Sequence, residues 1–165
     1  GLPHKNARGV LKAYEMYRKK ADRPLDLRVI GIEDTSFYKE MDAEAVSHVK
    51  CDKFFQAFDE MCRVISGAKA YLFLSYMEGF GFPPLEAMQL GVPVVCSDRA
   101  SLPEVVADAG VLVDPDDLEE VALALVKVTE QEEFRKELIK KGYGNTRRFC
   151  WESRIELYWK ELFHE

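Results

Sequence analysis

Apolar positions recur along this chain in two different rhythms. From Asn6 to Lys20 the residues Ala7, Val10, Leu11, Tyr14 and Tyr17 return every three or four positions, the spacing of one helical face. Asn6 suits the N-cap of that helix, and Arg18, Lys19 and Lys20 suit the negative end of its dipole. LDLRVIGI (25–32) then reads as a buried strand. Residues 34–48 are polar and ambiguous, with a short helix as one reading, and HVKC (48–51) reads as a short strand. Helical spacing returns at Phe58, Met61, Cys62, Ile65 and Ala68, with Asp59 and Glu60 in the first turn. AYLFLS (70–75), VPVVCSD (92–98) and GVLVD (110–114) are nearly continuous apolar runs, as parallel strands covered on both faces require. Between the last two, Ser101 and Glu104 match the S-x-x-E signature of a capping box. Leu118, Val121, Ala122, Leu125 and Val128 mark a further helix, and two more helical stretches finish the chain.

Strands alternating with helices predict an α/β fold with a doubly wound, Rossmann-like parallel sheet. A domain of that kind normally opens on a strand. This chain opens on a helix, so a first strand and the piece that carries it are expected to be missing. With 165 residues, 47% of them apolar, residues 1–165 are expected to form one domain around one core. Trp151, Ile155, Tyr158, Trp159 and Leu162 give the terminal helix, 150–165, an aromatic-rich face. That face suits ordinary core packing and docking of an absent N-terminal domain equally well.

Charge narrows the partners. The net charge is −6 with both signs interspersed, which argues against nucleic-acid binding. No apolar stretch reaches the roughly 18 residues of a membrane span. Cys51, Cys62, Cys96 and Cys150 are widely spaced, with no C-x-x-C pair. They read as small buried hydrophobes in a reducing compartment, which makes the cytoplasm the expected location.

The chemistry concentrates in EGFGFPPLEAMQLG, residues 78–91. In parallel α/β sheets ligands sit beyond the carboxyl ends of strands, and this stretch follows such an end. Pro83 and Pro84 suit the first turn of a helix, where a backbone N–H has no partner anyway, and Gly91 suits its end. Gly79, Phe80, Gly81 and Phe82 would then present free amides at a helix N-terminus, a site for an anion. Gly81 would let the backbone approach that ligand closely. Glu78 and Glu86 cannot also bind phosphate. They suit hydroxyl groups, which donate to carboxylates. Hydroxyls at both ends with phosphates between describe a nucleotide sugar.

EGFGFPPLEAMQLGVPVVCSD followed by SLPEVVADAGVLVDPDD closely resembles glycosyltransferase family 4, the retaining nucleotide-sugar transferases of the GT-B fold. The resemblance runs from about Leu2 to Trp151. It implies that this is the C-terminal, donor-binding domain, transferring a hexose to a glycan, lipid or other acceptor. By resemblance Glu86 grips the ribose, Glu78 orients the transferred sugar as the catalytic residue, and amides around Phe80 to Phe82 meet the sugar and diphosphate. LPHKN (2–6) looks like the family's first donor-site element and assigns Lys5 to the diphosphate. The resemblance further implies a metal-independent enzyme without cofactor, a separate N-terminal acceptor domain, and peripheral association of the whole protein with the inner face of a membrane. VKCDKF (49–54) departs from the strand end whose loop touches the base in this family, so the base is not specified.

Plainer readings compete. An acid in a first helical turn, as Glu86 would be, is favoured by the dipole alone by roughly 0.3–1 kcal/mol. Glu78 and Lys5 could be solvated surface charges, and Phe80 and Phe82 could plug the core. DPD (114–116) matches the D-x-D string of metal-dependent transferases, but Asp116 or Asp117 is better placed to cap the following helix. His4 has no catalytic partner in sequence. Two alternatives stay open for the whole: a nucleotide-sugar epimerase of similar fold, and a non-enzymatic, flavodoxin-like nucleotide-binding module.

Overall fold

The computed structural model describes residues 3–31, 36–52 and 57–150, together with Ile155 and Trp159. Helix α1 (Ala7–Lys20) leads to β1 (Leu27–Ile30), short α2 (Ala43–Ser47) and β2 (Val49–Asp52). Helix α3 (Phe58–Ser66), β3 (Tyr71–Phe73), α4 (Phe82–Gln89) and β4 (Val94–Ser97) follow. Then come α5 (Leu102–Val106), β5 (Val111–Val113), α6 (Leu118–Glu130) and α7 (Glu132–Thr146). The expected alternation is present, and every strand pairing is parallel.

The described strands fall into two ladders rather than one continuous sheet: β1 with β2, and β3–β4–β5 with β4 in the centre. Their packing differs. Every residue of β4 is buried, as its unbroken apolar run requires, whereas β1 and β2 contain no fully buried residue. Period-two alternation splits β4 between two cores. Val95 joins Tyr14, Tyr17, Val121, Leu125 and Val128 under α1 and α6, while Val94 and Cys96 join Leu85, Met88, Leu102 and Val106 under α4 and α5. Burying a valine of this kind contributes about 1.5–3 kcal/mol, so the central strand is the anchor of the fold.

Helix α1 starts where its sequence says it should. The Asn6 side chain accepts from the Gly9 amide at 3.0 Å, with its own backbone in the left-handed region at φ 52°. Asp117 likewise caps α6, accepting from the Glu120 amide. At the far end of α4, Gly91 takes φ 76°, the turn that stops the helix.

Three expectations are corrected. Ser101 makes no side-chain cap on α5, so the capping box with Glu104 does not form. Only Cys96 of the four cysteines is buried; Cys51 and Cys62 are half-buried and Cys150 is exposed. Phe80 and Phe82 do not plug the core but are 37% and 60% exposed. The expected aromatic face of 150–165 lies almost entirely outside the described residues; Ile155 and Trp159 are both helical and exposed. No helix among the described residues is long and apolar enough to cross a membrane.

Candidate functional site

The carboxyl ends of β3, β4 and β5 point to one edge, and the chain before α1 is tied to the same edge. Pro3–Lys5 form a single 3-10 turn whose His4 carbonyl accepts from the Tyr76 amide at 2.8 Å, just past β3. Asn6 then donates from Nδ2 to the Pro115 carbonyl beyond β5 at 3.3 Å. Gly9 leaves the room this asparagine needs: a Cβ there would meet the Asn6 side chain at 2.4–2.6 Å. These two bonds carry Lys5 to the loop after β3.

There Lys5 meets Glu78, with Nζ 2.6 Å from Oε1. The lysine side chain is 42% exposed and the glutamate 13%, so the acid is held under its partner. Lys5 also lies 5.5 Å from the centroid of the Phe73 ring on β3. Burial pushes the Glu78 carboxyl up, but the Lys5 ammonium and the Ser75 hydroxyl outweigh it and hold the group below its ordinary value. Glu78 is therefore a carboxylate at neutral pH, already positioned from inside the protein. It is not the solvated surface charge that the plainer reading allowed.

Glu86 sits one turn into α4 and is half-buried. Its carboxylate makes no hydrogen bond or ion pair among the described residues. Both acids nevertheless act on one phenol. Burial, then the Glu86, Cys96 and Glu78 charges, push the half-buried Tyr71 up to about 12.

Between them the loop turns into α4 at Gly81, whose φ of 114° only glycine adopts readily. A Cβ at Gly81 would also meet Leu102 Cδ2 at 2.9 Å. Gly81 thus answers to α5 behind the loop, a constraint the sequence reading did not include. Gly79 is different: it is exposed, has no positive φ, and a Cβ there would meet nothing within 4 Å. Pro83 and Pro84 occupy the first turn as expected. The amides of Gly79, Phe80, Gly81 and Phe82 donate to no acceptor among the described residues. The Phe80 and Phe82 rings pack at a tilt with centroids 4.7 Å apart, and Phe80 and Phe149 meet edge-on at 5.5 Å.

The D-x-D string is engaged elsewhere. Asp114 pairs with Arg99 at 2.7 Å, and Asp116 accepts from the Tyr76 hydroxyl at 2.6 Å. No group of three or more His, Cys, Asp or Glu suited to a metal ion occurs among the described residues.

The family model for glycosyl transferases group 1 matches residues 1–145. The chain belongs to that family. Among curated relatives, O-antigen chain mannosyltransferase B of Escherichia coli is 30% identical over 154 residues, covering 92% of this chain and 40% of its own length. The MMP alpha-(1->4)-mannosyltransferase of Mycolicibacterium hassiacum is 29% identical over 160 residues, covering 92% of this chain and 38% of the relative. This group 1 chain therefore spans about two-fifths of the length of these curated relatives. Among solved structures, a variant of S. aureus TarM in complex with fondaparinux, alpha-GlcNAc-glycerol and UDP superposes with a TM-score of 0.83. It covers 99% of this chain and 34% of TarM at 19% identity, a likeness of fold. The architecture is the α/β, parallel-sheet GT-B type expected from sequence.

Several residues at this edge carried no functional signal in the sequence. Ser75 ends an apolar strand and is 1% exposed, yet its hydroxyl serves Glu78. Arg99 gathers Asp98, Asp114 and Asp116. Ser101 sends its hydroxyl to the Glu78 and Phe80 carbonyls, at 3.1 and 2.7 Å. Its S-x-x-E setting marked the residue, but for a different task.

Proposed function

We propose that this chain is the donor-binding half of a retaining family 4 glycosyltransferase that moves a hexose from a nucleoside-diphosphate sugar to an acceptor held by a separate domain. The observation that carries this reading is the Lys5–Glu78 pair next to four consecutive amides that find no acceptor, and a Glu86 carboxylate that finds no partner, among the described residues. The mannosyltransferase names of the relatives and the UDP held by TarM agree with it.

The chemistry follows from the residues. Transfer breaks the bond between the sugar and the diphosphate and leaves negative charge on the departing oxygens. An ammonium has three N–H donors, so Lys5 can keep Glu78 and still donate to a phosphate. The loop amides and the positive end of α4 supply further fixed donors, oriented before reaction. In this reading those donors stabilise the leaving diphosphate without a metal ion or cofactor. Glu78 has acceptor capacity beyond Lys5 and Ser75, and holds a sugar hydroxyl as positive charge grows on the ring. Glu86 accepts from the ribose hydroxyls. The acceptor would approach from the face the diphosphate leaves, giving retention.

The test is to incubate the protein, joined to its acceptor half, with UDP-, GDP- and ADP-sugars in EDTA, and to read the products by NMR. Retained anomeric configuration in a metal-free transfer is the expected result. An inverted product, or transfer only after a divalent ion is restored, overturns the reading. An epimerised sugar formed without acceptor would replace it with the epimerase alternative.

A further inference from the structure

Ser101 occupies the N-cap position of α5 but does not cap that helix. Its backbone is helical, at φ −77° and ψ −13°, whereas a capping serine has an extended backbone that aims its oxygen at the first helical amides. The preceding residue, Ala100, takes φ 53°, a left-handed turn that an alanine adopts only when its surroundings hold it there. Its neighbours supply that hold: Leu102 is fully buried, and Arg99 is paired with Asp114. The serine hydroxyl is thereby aimed across to the loop after β3, where its one proton is shared between the Phe80 carbonyl at 2.7 Å and the Glu78 carbonyl at 3.1 Å.

Peptide planarity turns this into a statement about the opposite side of the loop. In a trans peptide the C=O of one residue and the N–H of the next point in opposite directions. Fixing the Glu78 carbonyl toward Ser101 directs the Gly79 amide away from it, and fixing the Phe80 carbonyl directs the Gly81 amide away. Those are two of the amides that find no acceptor among the described residues. We infer that Ser101 is a positioning residue for the donor: by taking two carbonyls from behind, it turns the amide of exposed Gly79 and that of buried Gly81 away from α5 to receive the diphosphate. The inference rests on the donor-site reading above. It assigns the α5 cap to that site, although the residue itself touches no ligand.

The experiment compares wild type with Ser101→Ala and Ser101→Thr, titrating each by calorimetry with GDP, UDP and the corresponding nucleosides. Ser101→Ala is expected to weaken diphosphate binding by about tenfold while nucleoside binding changes less than about twofold, and Ser101→Thr, which keeps the hydroxyl, to recover most of the loss. In ¹⁵N-labelled wild type, the Gly79 and Gly81 amide signals are expected to shift on addition of the diphosphate, a readout that stands if Ser101→Ala fails to fold. Equal losses for nucleoside and diphosphate, or unmoved Gly79 and Gly81 signals in a protein that binds, overturn the role of Ser101. If wild type binds neither diphosphate, the donor-site reading itself fails, and the role falls with it.

Discussion

The two acids that flank the loop are held in opposite ways. Glu78 is engaged from inside: Lys5 and Ser75 bond its carboxylate, and Ser101 bonds its carbonyl. Glu86 is half-buried on α4 with no partner for its carboxylate among the described residues. A carboxylate with internal partners has a fixed place. One that lacks them has acceptor capacity that water or a ligand can use. The contrast separates an acid that the fold orients from an acid whose carboxylate no described residue engages.

Substitutions sharpen that contrast. The largest effect is expected for Glu86→Ala on ligand binding: a loss of about 1.5–3 kcal/mol for a nucleoside diphosphate, the size of a charge-assisted hydrogen bond. Its thermal stability should stay within about 0.5 kcal/mol of wild type, since no internal partner is lost. Unchanged affinity by calorimetry would remove Glu86 from the site. Next comes Gly81→Ala, which imposes a left-handed alanine and a contact of 2.9 Å with Leu102. Urea unfolding should show about 1–3 kcal/mol of lost stability. Gly79→Ala, two residues away, should leave stability within about 0.5 kcal/mol, because nothing lies within 4 Å of the added methyl. If both glycine variants unfold alike, the loop is not backed by α5 as described.

Lys5→Met tests the inner end. Lys5 is substantially exposed, so solvent screening limits the expected stability loss to about 1 kcal/mol. The Glu78 carboxyl, deprived of its counter-charge, should titrate higher, which carboxyl-resolved NMR would detect. The smallest effect is the pH dependence of the same pair. Glu78 is lowered in the folded protein, so its contribution is present above the ordinary glutamate value of 4.5 and is lost as pH falls through the lower folded value. Stability curves of wild type and Glu78→Gln should therefore converge in acid. Parallel curves down to about pH 3 would contradict the coupling.

Much of the fold was legible because its signals are periodic. The nearly continuous apolar run over 92–98 announced β4, and the spacing of Val121, Leu125 and Val128 announced α6. The division of the strands into two ladders was not legible, since pairing depends on neighbours that strand patterns do not name. At the site, the sequence pointed to Lys5, Glu78 and Glu86 separately, while the 2.6 Å contact between the first two needed the His4–Tyr76 bond that carries one to the other. Ser101 was misread for a local reason. The S-x-x-E signature assumes an extended cap, and the left-handed turn at Ala100 puts the serine in helical geometry instead.

The most direct measurement of the central claim is a calorimetric titration of the wild-type protein with GDP and with UDP, in EDTA throughout. The account predicts saturable binding of at least one of them, with the ribose held by Glu86 and the diphosphate by the amides and Lys5, without a metal ion. Failure of both to bind, or binding that appears only when a divalent cation is added, would contradict it.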